Sequence, residues 1–324
     1  SEIDGAIKAW QTLNWDHVSK QLDFLVSRQN WRFLPLASVP IAVKDVYDTA
    51  DFVTTYGSTI YENHRPSTDA KLVAILRSLG AIVVGKTVTT EFAYWQPGPT
   101  VNPHNTRHTP GGSSSGSAAA VSCGMVPLAL GSQTAASIIR PASYCGIYGF
   151  KPSYGVLPLE GVKPLAPSLD HAGFLARSVE DIKICFKAVL GHEHFSQNSA
   201  TLSEKPLSDL TVTKLSGGWE MILQKECQQA VDECFASAIS QGCKFSEKVI
   251  FTDFERLTND QTTLMAAEAV QSFQYEKEFE FHKLSDHIKN LLKEGSEVTA
   301  AQLEQARIPL ENPKDFENRL FRDA

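Results

Sequence analysis

The chain has no run of 18 or more apolar residues, so its sequence offers no segment for a membrane-spanning helix. Its six cysteines (Cys123, Cys145, Cys185, Cys227, Cys234 and Cys243) form no C-x-x-C pair. That scatter excludes the usual zinc-ribbon and redox spacings and fits unpaired thiols in a reducing compartment. Close histidine pairs are few: "HNTRH" spans His104 to His108 and "HEH" spans His192 to His194. The first lies between Pro103 and Pro110, which disfavours the helix that would place both imidazoles on one face, so no metal is expected. Neither G-x-G-x-x-G nor G-x-x-x-x-G-K-[ST] occurs, and no cofactor is expected. Positive charge is in deficit, with 30 Lys and Arg against 37 Asp and Glu. The resulting net charge of -7 argues against direct nucleic-acid binding. The opening "SEIDGAIKAWQTLNW" lacks a basic segment followed by an apolar core, so a cytoplasmic protein is expected.

What is present is ordinary globular composition, 42% hydrophobic and 21% charged over 324 residues, with ample length for a large core. Residues 3–28 read as helical, with Ile7, Trp10, Leu13, Val18, Leu22 and Leu25 near helical spacing. "SVPIAVKDVYDTA" reads as an apolar strand ending at Lys44 and Asp45. "DAKLVAILRSLGAIVVGKT" reads as a helix, a stop at Gly80 and a buried strand Ala81–Val84. Residues 96–116, rich in Pro, Gly, Asn and Thr, read as loop. Ala118–Cys123 then reads as helix and "MVPLALG" as another buried strand. From about Val179 the chain turns charged and amphipathic, with three helical stretches and one strand, "CKFSEKVIF". Helices alternating with short Val/Ile strands predict an α/β sheet with helical cover.

Serine needs an activating base to act as a nucleophile at neutral pH. Three readings compete for the serine-rich segments. "GSSSG", Gly112 to Gly116, matches G-x-S-x-G with Ser114 as nucleophile, but that elbow requires a strand immediately before it and "NTRHTPGG" is no strand. A phosphate cradle at the start of the Ala118 helix is the second, although no Lys or Arg lies between Thr109 and Gly124. The third is the turn "GSQTAAS", where Ser137 follows a buried strand and the backbone N–H groups of residues 134–137 form a cluster of donors. A base for it need not be histidine: Lys44, at the end of an apolar strand, would be driven toward the neutral amine by desolvation.

Taken together, three segments resemble the amidase signature family. They are "VPIAVKD" with Lys44, "TPGGSSSGSAAAVS" with Ser113, and "GSQTAASIIRPASYCGIYGFKPSYG" with Ser137. Their order and spacing match that family, as do the framing stretches "DTADFVTTYGS", "LRSLGAIVVGKTVTTEFA" and "GVKPLAPSLDHAGFLARSVEDI". The resemblance is strongest over residues 36–184. It implies one large α/β/α sandwich over 1–324, with a central mixed β-sheet covered by helices and a shortened C-terminal part. Within it, residues 1–30 would be N-terminal helices, 36–184 the signature core and 185–324 a mainly helical covering region.

The resemblance also implies chemistry. Ser137 would form an acyl-enzyme, Ser113 would bridge after a cis peptide bond from Gly112, and Lys44 would be the base. Backbone N–H groups of Thr134, Ala135, Ala136 and Ser137 would form the oxyanion hole, with Ser114 in support. Arg140 would meet a substrate carboxylate; the competing role is a structural salt bridge such as one to Asp170. The implied activity is hydrolysis of a small amide, with carboxylated amides favoured, by an enzyme needing neither metal nor cofactor. The alternatives are a glutamine-hydrolysing amidotransferase subunit working with partner proteins, or a weakly active relative. A homodimer is the family expectation. One departure stands out: Ala135 and Ala136 replace the usual Gly-Gly or Ala-Gly. If residue 136 required positive φ, alanine would cost about 1 kcal/mol there and tilt an oxyanion donor.

Overall fold

Short runs of β-branched and small residues form the central strands, as their composition predicts. The computed structural model describes residues 2–192, 205–217, 223–249 and 254–311. The chain packs as two compact units, Ser1–Ser199 with Met265–Val298, and Ala200–Leu264 with Thr299–Ala324. The first begins with α1 (Glu2–Ile7), β1 (Trp10–Leu13) and α2 (Trp15–Ser27). Next come β2 (Pro40–Lys44), α3 (Lys71–Ser78), β3 (Ile82–Thr87), α4 (Ser115–Ser122), β4 (Leu128–Gln133) and α5 (Ile139–Tyr144). β5 (Tyr148–Phe150), β6 (His171–Ala176) and α6 (Val179–Leu190) follow.

The second unit contains β7 (Thr211–Ser216), α7 (Lys225–Ser240) and β8 (Lys244–Val249), in which the two strands pair in parallel across the helical crossover. α8 (Phe254–Ser272) passes into the first unit's residues at Met265. α9 (Gln274–Phe279) and α10 (Asp286–Glu297) belong to the first unit, and α11 (Ala300–Glu311) to the second. Among the described residues no helix is long and apolar enough to cross a membrane.

The sheet of the first unit runs β1-β3-β2-β4-β6-β5. β3, β2 and β4 are mutually parallel, while β1, β6 and β5 join antiparallel, so the sheet is mixed. Side chains alternate between its two faces. Ile41, Val43, Leu128, Leu130 and Phe174 enter a core shared with α3 and α6. Ala42, Ala129 and Leu175 enter a second core with Ala118 to Val121 of α4. The α4 face is built from small residues because that helix, "SGSAAAVS", lies almost on the sheet. A Cβ on Gly116 would stand 2.2 Å from Ala9 O and 2.5 Å from Val88 N, so only glycine fits there. This close approach brings the serine-rich loop before α4 to the carboxyl ends of β2 and β4.

The N-terminal segment differs from the expected uninterrupted helix over residues 3–28. Lys8 has φ 57°, and Trp10–Leu13 pairs antiparallel with β3, Trp10 opposite Thr87. Trp10 and Leu13 satisfy a helical period in the sequence, but the ladder on β3 captures their backbone instead. Asn14 then caps α2, its side chain accepting from His17 N at 3.1 Å. The sequence also missed β7, a polar strand. Of the two histidine pairs, His104 bonds Cys145 O at 2.9 Å, and His194 lies outside the described residues.

Candidate active site

β2 ends at Lys44, whose side chain is completely buried. Two residues after Ala42, it keeps to the α4 side of the sheet. Its Nζ lies 2.7 Å from Ser113 Oγ, 2.9 Å from Ser132 Oγ and 3.3 Å from Ser132 O. Burial drives its pKa down from 10.5 to about 7, against a smaller upward pull from the Asp170 carboxylate. The three oxygens satisfy both protonation states. As an ammonium, Lys44 donates to all of them; as an amine, it donates to Ser132 O and Oγ and turns its lone pair to the Ser113 hydroxyl. Among the described residues no carboxylate forms an ion pair with it.

Lys86, on β3 beside it, is equally buried but differently held. Its Nζ pairs with Asp45 Oδ1 at 2.8 Å and donates to Tyr47 O at 2.8 Å and Thr54 Oγ1 at 2.6 Å. Burial lowers its pKa too, and the adjacent Asp45 carboxylate is the first influence opposing that fall.

The Gly112–Ser113 peptide is cis, as the family resemblance implied. Ser114 is fully buried; its Oγ donates to Ser132 O at 3.3 Å and its N–H to Ser137 O at 3.2 Å. No strand precedes it in residues 103–114, so the elbow geometry required for a Ser114 nucleophile is absent. In the first turn of α4, Gly116 N is bonded to Val88 O at 2.9 Å. That takes one donor from the phosphate cradle considered from sequence.

Ser137 sits in the turn between β4 and α5, one peptide hydrogen bond away from the serine loop. Gln133, at the end of β4, folds its Oε1 back to accept from Ile138 N at 2.9 Å and Ile139 N at 3.1 Å, which fixes the turn. The backbone N–H groups of Thr134, Ala135, Ala136 and Ser137 donate to no acceptor among the described residues. They remain free to meet a developing negative charge. Neither Ala135 nor Ala136 has positive φ, so alanine is accommodated without the strain anticipated for residue 136. Thr134 Oγ1 donates to Asp170 Oδ1, whose other oxygen accepts from Leu165 N at 2.9 Å and Ala166 N at 3.1 Å. Burial raises the Asp170 carboxyl to about 6 in spite of these donors. No hydrogen bond joins the side chains of Ser113 and Ser137 among the described residues.

Asp170 is therefore not the partner of Arg140 considered from sequence. Arg140 donates from Nε at 3.0 Å and from Nη2 at 2.7 Å to Gly112 O, and its guanidinium lies 5.4 Å from the centre of the Trp95 ring. It lines a cleft of about 230 Å³ together with Trp95, Gly111, Gly112, Ser115 and Tyr144. Sequence reasoning missed Ser132 and Gln133 altogether. Both stand immediately before the Ser137 turn, in "GSQTAAS", and their polarity in an otherwise apolar buried strand was the available signal.

The fold is an α/β one with a mixed central sheet, and it holds a buried lysine–serine array at the end of β2. The amidase family profile matches residues 2–317. A glutamyl-tRNA(Gln) amidotransferase subunit of Exiguobacterium sibiricum is 37% identical over 272 residues, covering 81% of this chain and 54% of that protein. Among solved structures, a chain from "An unexpected vestigial protein complex reveals the evolutionary origins of an s-triazine catabolic enzyme" matches with TM-score 0.85 and 30% identity, over 99% of this chain and 73% of that one. A serine-to-alanine variant of Kluyveromyces lactis allophanate hydrolase matches with TM-score 0.84 and 29% identity, over 97% and 53% respectively. The chain belongs to the amidase family. It spans about half the length of the curated relatives it matches.

Proposed function

We propose that this chain hydrolyses carboxamide C–N bonds, with Ser137 as nucleophile, Ser113 as proton bridge and Lys44 as base. The observation that carries the reading is the buried Lys44 amine, 2.7 Å from Ser113 Oγ, with a pKa near 7 and no ion-pair partner among the described residues. Ser137 Oγ attacks the amide carbonyl carbon while its proton passes to Ser113 Oγ and the Ser113 proton to Lys44 Nζ. The carbonyl oxygen, now negative, is met by the free N–H groups of residues 134–137. When the intermediate collapses, the relay reverses: Lys44 returns the proton through Ser113 to the leaving nitrogen, the C–N bond breaks and the amine departs. Water then attacks the Ser137 ester, its proton following the same route, and the acid is released. The open Ser113–Ser137 link closes in the substrate complex, since catalytic hydrogen bonds are often long in the free enzyme.

Arg140, which lines the cleft and has no ion-paired carboxylate among the described residues, supports a small carboxylated amide as substrate. Turnover of matched amides with and without a carboxylate tests this, and equal kcat/KM for both would contradict it. A second reading rests on the relatives named as glutamyl-tRNA(Gln) amidotransferase subunits: release of ammonia from glutamine for a partner protein. Glutamine-dependent ammonia formation that appears only with a co-purifying partner would select it. Intact-mass labelling with a fluorophosphonate and peptide mapping tests the site itself. The expected adduct is on Ser137; an adduct on Ser114, or none, would overturn the assignment.

A further inference from the structure

We propose that Arg140 is a positioning residue that braces the bridging-serine loop against the nucleophile turn, an inference that rests on the hydrolase reading above. Ser113 and Ser137 come from segments with no covalent reason to stay in register. Two cross-links hold them. Ser114 N donates to Ser137 O at 3.2 Å on one side. On the other, Arg140 is tied by its own N–H to Ala136 O at 2.9 Å, and its side chain reaches back to Gly112 O with two donors, at 3.0 and 2.7 Å. Gly112 O is the carbonyl of the cis peptide that presents Ser113. Fixing it therefore fixes the residue standing between Lys44 and Ser137.

The geometry also explains why the residue is arginine. Two converging N–H donors on one rigid plane define both the position and the orientation of a single carbonyl, which one rotatable ammonium cannot do. The Nε–Nη2 edge, one of the edges able to grip a carboxylate side-on, is occupied by Gly112 O, and Trp95 stacks on the guanidinium 5.4 Å away. Any contact of Arg140 with substrate is thus secondary to its hold on the loop.

The test is the rate at which an uncharged fluorophosphonate modifies Ser137 in the wild type, Arg140→Lys, Arg140→Gln and Arg140→Ala. The probe carries no carboxylate, so a residue serving only to bind one would leave the rate unchanged. The brace is expected to show as a slowing of about tenfold or more in all three variants, with Ser137 still the modified residue. It is further expected that added methylguanidinium restores the rate in Arg140→Ala. The acid limb of the rate near pH 7 should move in the variants, because the contact between Ser113 and Lys44 loosens. If Arg140→Ala fails to fold, the Lys and Gln variants decide. Undiminished labelling in folded variants would overturn the brace while leaving the hydrolase reading intact. Absence of Ser137 labelling in the wild type would overturn that reading, and the brace with it.

Discussion

Lys44 and Lys86 are both completely buried on neighbouring parallel strands, yet their surroundings suit them to the opposite tasks proposed for them. Lys86 has a carboxylate at 2.8 Å and two further oxygen acceptors, so a charge on it is matched. Lys44 meets only hydroxyls and one carbonyl, and its pKa falls to about 7. Burial alone does not make a base, because it is common to both. In the proposed mechanism the difference is the missing carboxylate, since among the described residues only neutral oxygens accept from Lys44.

The comparison breaks most visibly by substitution. Lys44→Met is expected to lower kcat/KM by about a thousandfold or more with the protein still folded, read in steady-state kinetics on any amide the wild type cleaves. Lys86→Met is expected to act through folding. It strands the buried Asp45 carboxylate, an imbalance of about 3–5 kcal/mol visible as a lowered denaturation midpoint. The double variant Lys86→Met with Asp45→Asn should recover part of that loss. If Lys86→Met were stable and inactive while Lys44→Met were unstable and active, the two assignments would have to be exchanged.

Smaller effects sharpen it. Ser132→Ala removes one acceptor from Lys44, which hurts the ammonium more than the amine. Activity is expected to fall about tenfold, and the acid limb of the pH profile to move to lower pH. Asp170→Asn removes an upward pull on the Lys44 pKa, so the same limb should move in the same direction by a smaller amount. Stability offers a further contrast. Folded Lys44 loses its proton near pH 7 and the unfolded chain near 10.5, so the unfolded state binds more protons between these values. Stability contributed at this residue therefore climbs with pH across that window. The difference in denaturation midpoint between wild type and Lys44→Met should change over the same range.

How much of this was legible in the sequence follows the same division. Lys44, Ser113 and Ser137 stand in segments whose order and spacing are distinctive, and the strand ending at Lys44 and the helix after Ser114 follow from composition. Ser132 and Gln133 left only a faint signal, two polar residues ending an apolar strand, and the Arg140–Gly112 contact left none. Each contact has a backbone atom or a distant side chain as its partner, brought close by the fold and 28 residues away in the last case, and a carbonyl leaves no mark in a sequence. Ala135 and Ala136 read as a departure only because backbone angles are invisible in a sequence; the turn does not place either at positive φ. β1 was hidden for another reason. Its Trp10 and Leu13 fit a helical period as well as a strand, and pairing with β3 decides between them.

The central claim, that an unpaired neutral Lys44 drives acylation of Ser137, is tested most directly by the pH dependence of fluorophosphonate modification at Ser137. In the wild type the rate is expected to rise with pH through an apparent pKa near 7, and in Lys44→Met the residual slow reaction is expected to lose that limb. A limb near 7 that persists in Lys44→Met, or a wild-type rate flat between about pH 5 and 9, would contradict it.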